Sequence, residues 1–409
     1  MSIIRACVRV RPLNEEDEGE ESDALVVASD VETRVGAITV SGEKFELSGV
    51  FDEDDTNEEL FEQVGVPLVH AVFGGAHATL LVYGQTGAGK SFTFGEVANV
   101  GRRQEGVAHR CIRACFDDPP DELKLRTMPS SAPWRVECFQ LYCERVHDLL
   151  ADPTEESAAA RVRPLRLRED KTGGVEAVGA TSIACDSAEE VFELLERAAL
   201  NLRFAAKHLE RPMVTRASVV CRVYVEMVPC APDSEDSEDD KDDEDGDDDG
   251  SATSSRQAHE PPQQEQQPRV RRTRSVLTLC DLAGSEPLAN GSKERATVGP
   301  SDARSIHTSL QALGSVVTAL TEGAAHVPFR ASVLTKLLQR GLGGNSKCPH
   351  PQMPSNAHKP LKPLLQTRSS PSSYVVPDVS RLRGCHRVHL TGRARPDRNG
   401  TLATLRNAS

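Results

Sequence analysis

The stretch ATLLVYGQTGAGKS, residues 78–91, constrains this chain more than any other: an apolar run ends in a glycine-rich turn closed by lysine and serine. An apolar run of that length suits a strand buried on both faces, the setting of sheets covered by helices on each side. The pattern G-x-x-x-x-G-K-S after such a strand is that of a phosphate-binding loop. Gly84, Gly87 and Gly89 let the backbone bend around phosphate oxygens and aim its N–H groups inward, and the following helix offers its positive N-terminus. Gln85, Thr86 and Ala88 complete the cradle. Lys90 is placed to reach the β- and γ-phosphates of a nucleotide, and the Ser91 hydroxyl to ligate magnesium.

A second signal, DLAGSE at 281–286, again follows an apolar strand, SVLTLC at 275–280. Asp281 then stands at a strand's C-terminal end, where an acid holds magnesium through water beside a phosphate loop on a neighbouring strand. Gly284 offers an N–H to the γ-phosphate. Together the two motifs predict a nucleoside triphosphatase with ATP and Mg2+ as ligands.

The rest of the chain fits one large α/β domain, a central, mostly parallel, twisted sheet with helices on both faces. Alternating or apolar runs predict strands at IIRACVRVRPL and at CRVYVEM, residues 221–227. WRVECFQLYCERVHDLL starts as a strand and is read as passing into a helical turn. Apolar spacing of three and four predicts helices over 188–208, in SIHTSLQALGSVVTALTEG and in ASVLTKLLQRGLGG.

The formal net charge of -14 comes largely from residues 233–250, where thirteen acids face only Lys241. An insertion over about 231–274 is acidic, then Gln- and Pro-rich, and ends in RVRRTR, so it is expected to be disordered. The stretch 348–409 is basic and Pro/Ser/Arg-rich and is read as a poorly ordered tail after a domain over 1–347. The acidic balance argues against nucleic acid as a partner. No run of eighteen apolar residues and no signal peptide are found, so the protein is expected to stay inside the cell with reduced cysteines. Cys348, His350, Cys385 and His386 match no standard zinc spacing, and no sustained heptads predict a coiled coil.

YGQTGAGKS, DLAGSE, VRVRPLN near the N-terminus and HVPFRASVLTKLLQRGLGGNSK resemble kinesin motor signatures in kinesin order. The resemblance covers residues 3–347 apart from the insertion, and GTLATLR at 400–406 is similar to the start of the last motor helix. It implies an ATP-dependent microtubule motor, located on the cytoplasmic cytoskeleton. By that resemblance Arg9, Arg11 and Pro12 flank the adenine. The first switch, N-x-x-S-S-R-S-H in the family, is best matched by RPMVTRAS at 211–218. Thr215 keeps a hydroxyl for the magnesium shell, and Arg216 is implied to pair with Glu286 of the second switch and so to position the attacking water. Val214 stands where the family has serine and Ser218 where it has histidine. Losing one transition-state contact costs a factor of about a hundred to a thousand, so slow hydrolysis is expected. A nucleotide-holding, non-hydrolysing microtubule-binding protein is the alternative.

The resemblance also implies a basic face for acidic microtubules, made of Lys293, Arg295, Arg304, Arg330, Lys336 and Arg340. His307 and Thr308 replace an expected Asn-Lys, and Ala331, Ser332 and Val333 an expected Asp-Ser-Lys. Residues 348–399 do not resemble the strand that should follow GGNSK, and no neck linker follows Arg406. Hydrolysis without stepping is the expectation, with an intron-derived segment as the other explanation of the break.

Overall fold

A computed structural model describes residues 4–12, 25–29, 35–40, 43–85, 87–95, 105–117, 127–129, 134–151, 164–170, 174–208, 217–229, 273–285, 300–343 and 373–377. The acidic insertion, the 400–406 segment and the 348–386 Cys/His set lie outside them, apart from the strand ends and the short strand named below.

One ten-stranded sheet organises the chain. Its main path runs β12 (Ile183–Cys185), β8 (Trp134–Tyr142), β13 (Ser218–Pro229), β14 (Thr273–Asp281), β6 (Ala78–Tyr83), β15 (Ser373–Pro377), β1 (Ile4–Arg9) and β5 (Gly49–Phe51). The half from β14 to β5 is parallel and the half from β12 to β14 antiparallel. The expectation of a mostly parallel sheet therefore holds for one half only. Strands β7 (Thr127–Pro129) and β9 (Arg145–Asp148) add to β13 and β8. A separate three-stranded meander, β2 (Leu25–Ser29), β3 (Gly36–Val40) and β4 (Glu43–Leu47), caps one end, and β10 (Arg166–Glu169) pairs with β11 (Val175–Val178) as a hairpin.

Alternation along the central strands builds two cores. On β6, Leu80 and Val82 face helices α2 (Val66–Phe73), α4 (Val107–Phe116) and α5 (Ala188–His208), while Leu81 faces α6 (Pro300–Thr321) and α7 (Val333–Leu342). Leu277 and Leu279 of β14 join the first core and Cys280 the second. Full burial of each such aliphatic side chain contributes about 1.5–3 kcal/mol, so the strands with the most apolar sequence take the centre. Helix starts follow local chemistry. Ser187 Oγ accepts from Glu190 N at 3.2 Å ahead of α5, and Ser332 with Thr335 forms a reciprocal cap on α7.

Two departures from the sequence reading stand out. WRVECFQLYCERVHDLL is a β-hairpin with no helical turn: β8 and β9 pair from Phe139↔Asp148 to Tyr142↔Arg145, and the two tip residues, Cys143 (φ 48) and Glu144 (φ 59), are both left-handed. That is the backbone a two-residue hairpin requires, adopted without the glycine or asparagine that announces it. The second is β15, which comes from the stretch read as a tail. Ser373–Pro377 fills the gap between β1 and β6, parallel to both, with Val375 opposite Leu81 and Ala6. Without those five residues the ladder between β1 and β6 would be broken.

The eight cysteines among the described residues are free thiols, and all but Cys143 are buried. None of the described helices is long and apolar enough to cross a membrane.

Candidate nucleotide-binding site

Adjacent parallel strands β6 and β14 end at the same level, with Asp281 in register with Val82. The loops leaving them stay together, since Leu282 N donates to Val82 O at 3.0 Å and Ser285 N to Gly84 O at 3.1 Å. The glycine-rich turn and the acidic motif are thereby brought to one point at the C-terminal edge of the sheet, where ligands of α/β folds bind.

Within the turn, Gly87 (φ 80) and Gly89 (φ 95) occupy the left-handed region, which lets the backbone turn its N–H groups inward. Gly89 directly precedes α3 (Lys90–Phe94), so Lys90 opens the helix and Ser91 follows one residue later. Lys90 is 9% exposed, and its ammonium donates to Gln85 O at 2.7 Å. Thr86 lies outside the described residues.

Asp281 is the electrostatic outlier. Its Oδ1 is buried and has no hydrogen-bond partner among the described residues, although the residue keeps some exposed surface. Burial pushes its carboxyl up to about 6, against the opposing pull of the Lys90 ammonium. An orphaned carboxylate oxygen beside a lysine and a serine at a helix start suits a divalent cation, which supplies the missing partner and favours the ionised form. The donor set therefore fits magnesium, with Asp281 and Ser91 as the described residues that would hold it.

Ser218 opens β13, and its buried hydroxyl accepts from Ala283 N at 2.9 Å. Sequence reasoning registered this position only as a lost histidine. The serine ties the start of β13 to the loop that follows β14, and the signal for it was a hydroxyl at the strand's first residue. Thr215, Arg216 and Glu286 lie outside the described residues.

Arg9 is placed differently from its expected role beside a base. It is 6% exposed, donates to Asn57 Oδ1, to Thr93 Oγ1 at 3.1 Å and to Asp55 O at 2.8 Å, and lies over the Phe92 ring. Thr93 and Phe92 belong to α3, so Arg9 anchors the helix of the phosphate loop from beneath. Arg11 donates to Pro12 O at 2.8 Å, and Pro12 is exposed.

A sequence model of the kinesin motor domain matches residues 9–349. The chain belongs to the kinesin motor domain family. It is 30% identical over 353 residues to kinesin-related protein 5 of Dictyostelium discoideum, covering 84% of this chain and 30% of that protein. It is 30% identical over 349 residues to kinesin-like protein KIN-UA of Arabidopsis thaliana, covering 84% of this chain and 34% of the relative. The chain thus spans about a third of the length of these curated relatives. Among solved structures, that of a fast kinesin aligns with TM-score 0.64 at 24% identity over 92% of this chain and 85% of that one. The motor and motor homology domain structure of Kar3Vik1 aligns with TM-score 0.61 at 22% identity, over 92% and 79%. These likenesses give the kinesin motor fold, a nucleotide-binding phosphate-loop architecture.

Of the basic residues implied by the kinesin resemblance, Lys293 and Arg295 lie outside the described residues. Arg304 is exposed on α6, and Lys336 is partly exposed on α7. Arg330 is exposed and gripped by Glu169 through two hydrogen bonds of 3.0 and 2.8 Å. Arg340 does not belong with them. Its side chain is 15% exposed and ion-paired with Asp170, itself 18% exposed, and it packs against Gly174, so it locks α7 to the β10–β11 hairpin instead of facing solvent.

Proposed function

We propose that this chain is the ATP-hydrolysing, microtubule-binding motor domain of a kinesin. The observation that carries this reading is the buried, unpartnered Oδ1 of Asp281, level with the phosphate loop on the next strand. Lys90 and the loop N–H groups bind and orient the triphosphate. Asp281 and Ser91 hold Mg2+, which spreads the charge that builds on the phosphate oxygens. Thr215 would join the magnesium shell, Gly284 donates to the γ-phosphate, and Arg216 pairs with Glu286 to orient the attacking water, whose proton passes to the glutamate side of the pair. Arg304, Arg330 and Lys336, with Lys293 and Arg295, form the microtubule face, and the protein works on the cytoskeleton. Val214 and Ser218 in the first switch make turnover slow, by a factor of about a hundred relative to a full set of transition-state contacts.

The test is steady-state phosphate release by the purified chain with Mg-ATP across rising microtubule concentrations. A slow basal rate that climbs and saturates is expected. A rate that stays at its basal value at every microtubule concentration would overturn the motor reading.

A further inference from the structure

The tip of the β8–β9 hairpin holds both helices of the second core through one carboxylate. Glu144 Oε1 accepts from the Ser309 hydroxyl on α6, and Oε2 accepts from Val333 N, the first amide of α7, at 2.6 Å. Beside it, Tyr142 Oη donates to Asp302 Oδ2 at 2.9 Å in the first turn of α6. Such charge-assisted bonds are strong and directional.

Between the hairpin, β10 and the start of α7 lies a cavity of about 330 Å³, walled by Val146, Leu165, Leu167, Val333 and Lys336 along with Glu144. At the rim of that cavity the carboxylate adds a polar connection to the apolar packing of Val146 and Leu334. Because the contact at α7 is to a main-chain amide, the replacement of the family's lysine by Val333 leaves it intact. Both tip residues have positive φ, a conformation that non-glycine residues hold only where their surroundings require it.

The residue beside the tip connects to the nucleotide site. Leu141, one residue before Tyr142, pairs with Ser218, whose hydroxyl holds Ala283 N, and Ser285 N holds Gly84 O of the phosphate loop. Contacts therefore run without a break from the phosphate loop, through the second-switch backbone and β13, to the hairpin tip and on to α6 and α7.

We propose that Glu144 is a positioning residue that sets α6 and α7 against the sheet and so couples microtubule occupancy to nucleotide turnover. The coupling part rests on the motor reading above, whereas the clamp itself does not.

The experiment compares the full chain with Glu144→Ala and Glu144→Gln in Mg-ADP. The first arm is amide hydrogen exchange without microtubules. Glu144→Ala is expected to exchange about tenfold faster at 301–309 and at Val333, and Glu144→Gln, which keeps an acceptor for Val333 N, close to the parent. The second arm is phosphate release with and without microtubules. Glu144→Ala is expected to keep its basal rate within about twofold and to lose about tenfold of the stimulation, with Glu144→Gln restoring most of it. Parental exchange in Glu144→Ala overturns the clamp. Faster exchange with unchanged stimulation, or equal loss of basal and stimulated rates, makes the contact merely structural and overturns the coupling. A parent chain without stimulation would sink the motor reading and the coupling together, and the exchange arm would still decide the clamp.

Discussion

Charge is handled in opposite ways in two regions of this molecule. Around α7, Arg330 sits on Glu169, Arg340 on Asp170 and Glu144 on Ser309 and Val333, so each of these charged groups has an internal partner. At the phosphate loop, Asp281 keeps an oxygen that nothing among the described residues satisfies. Buried polar groups are normally paired, because leaving one unmade costs about 1–3 kcal/mol. The charges of the first region are paired within the chain. The second carries an unpaired carboxylate oxygen among the described residues, beside a lysine and a glycine-rich loop, which is the combination that suits a ligand.

The largest effect that would sharpen this contrast is in Lys90→Ala. The ammonium is held inside the loop by Gln85 O and pulls on the Asp281 carboxyl, so it stands where a triphosphate would lie. Removing a cation opposite a triphosphate costs on the order of 4 kcal/mol, roughly a thousandfold in affinity. Titration with a fluorescent ATP analogue should show that loss while the melting temperature stays within a few degrees. Unchanged affinity would break the assignment of the loop.

On the structural side, Arg340→Ala should take the arginine away from the part-buried Asp170 carboxylate, which keeps Gly174 N, and cost about 3 kcal/mol, read as a lowered denaturant midpoint. Arg330→Ala removes a pair whose arginine is 78% exposed, and should leave the denaturant midpoint almost unchanged while weakening microtubule co-sedimentation. Equal stability losses in the two variants would show that both arginines are structural and would remove Arg330 from the microtubule face.

What the sequence revealed follows the range of the interactions involved. The β6 and β14 strands and helices α5, α6 and α7 are legible because their period and burial are local properties of ATLLVY, SVLTLC and the helical stretches. The juxtaposition of Asp281 with the phosphate loop is legible because each motif follows an apolar strand. The hairpin tip is not, since Cys143-Glu144 lacks the residues that mark a two-residue turn and its left-handed backbone is imposed by its surroundings. Strand β15 is hidden for another reason. SYVVP is short and set among prolines and serines, and its partners Ile4–Ala6 and Thr79–Tyr83 lie some three hundred residues away in sequence. Arg9 shows the converse limit, because a family motif indicates where a residue stands but not that its guanidinium turns inward to Asn57 and Thr93.

The smallest effect has the most informative sign. The Asp281 carboxyl is raised to about 6 from its ordinary 3.8 by burial, so the folded chain binds a proton between those values that the unfolded chain has released. For an acid raised in this way, stability is lost as pH climbs from about 4 to 6, and the ligand-free protein above pH 6 carries the full penalty. Asp281→Asn removes the charge at nearly constant shape. It should therefore stabilise the ligand-free chain at pH 7.5 by roughly 3 kcal/mol and flatten its stability profile between pH 4 and 6. The same variant should lose Mg-dependent ATP turnover, because the oxygen that would face the cation is gone. Denaturant titrations across that pH range, run with and without Mg-ADP, separate the two contributions. Mg-ADP should stabilise the parent and scarcely affect Asp281→Asn. A variant less stable than the parent at pH 7.5 would mean that the carboxylate is already satisfied within the chain, and the contrast between the two regions would fail.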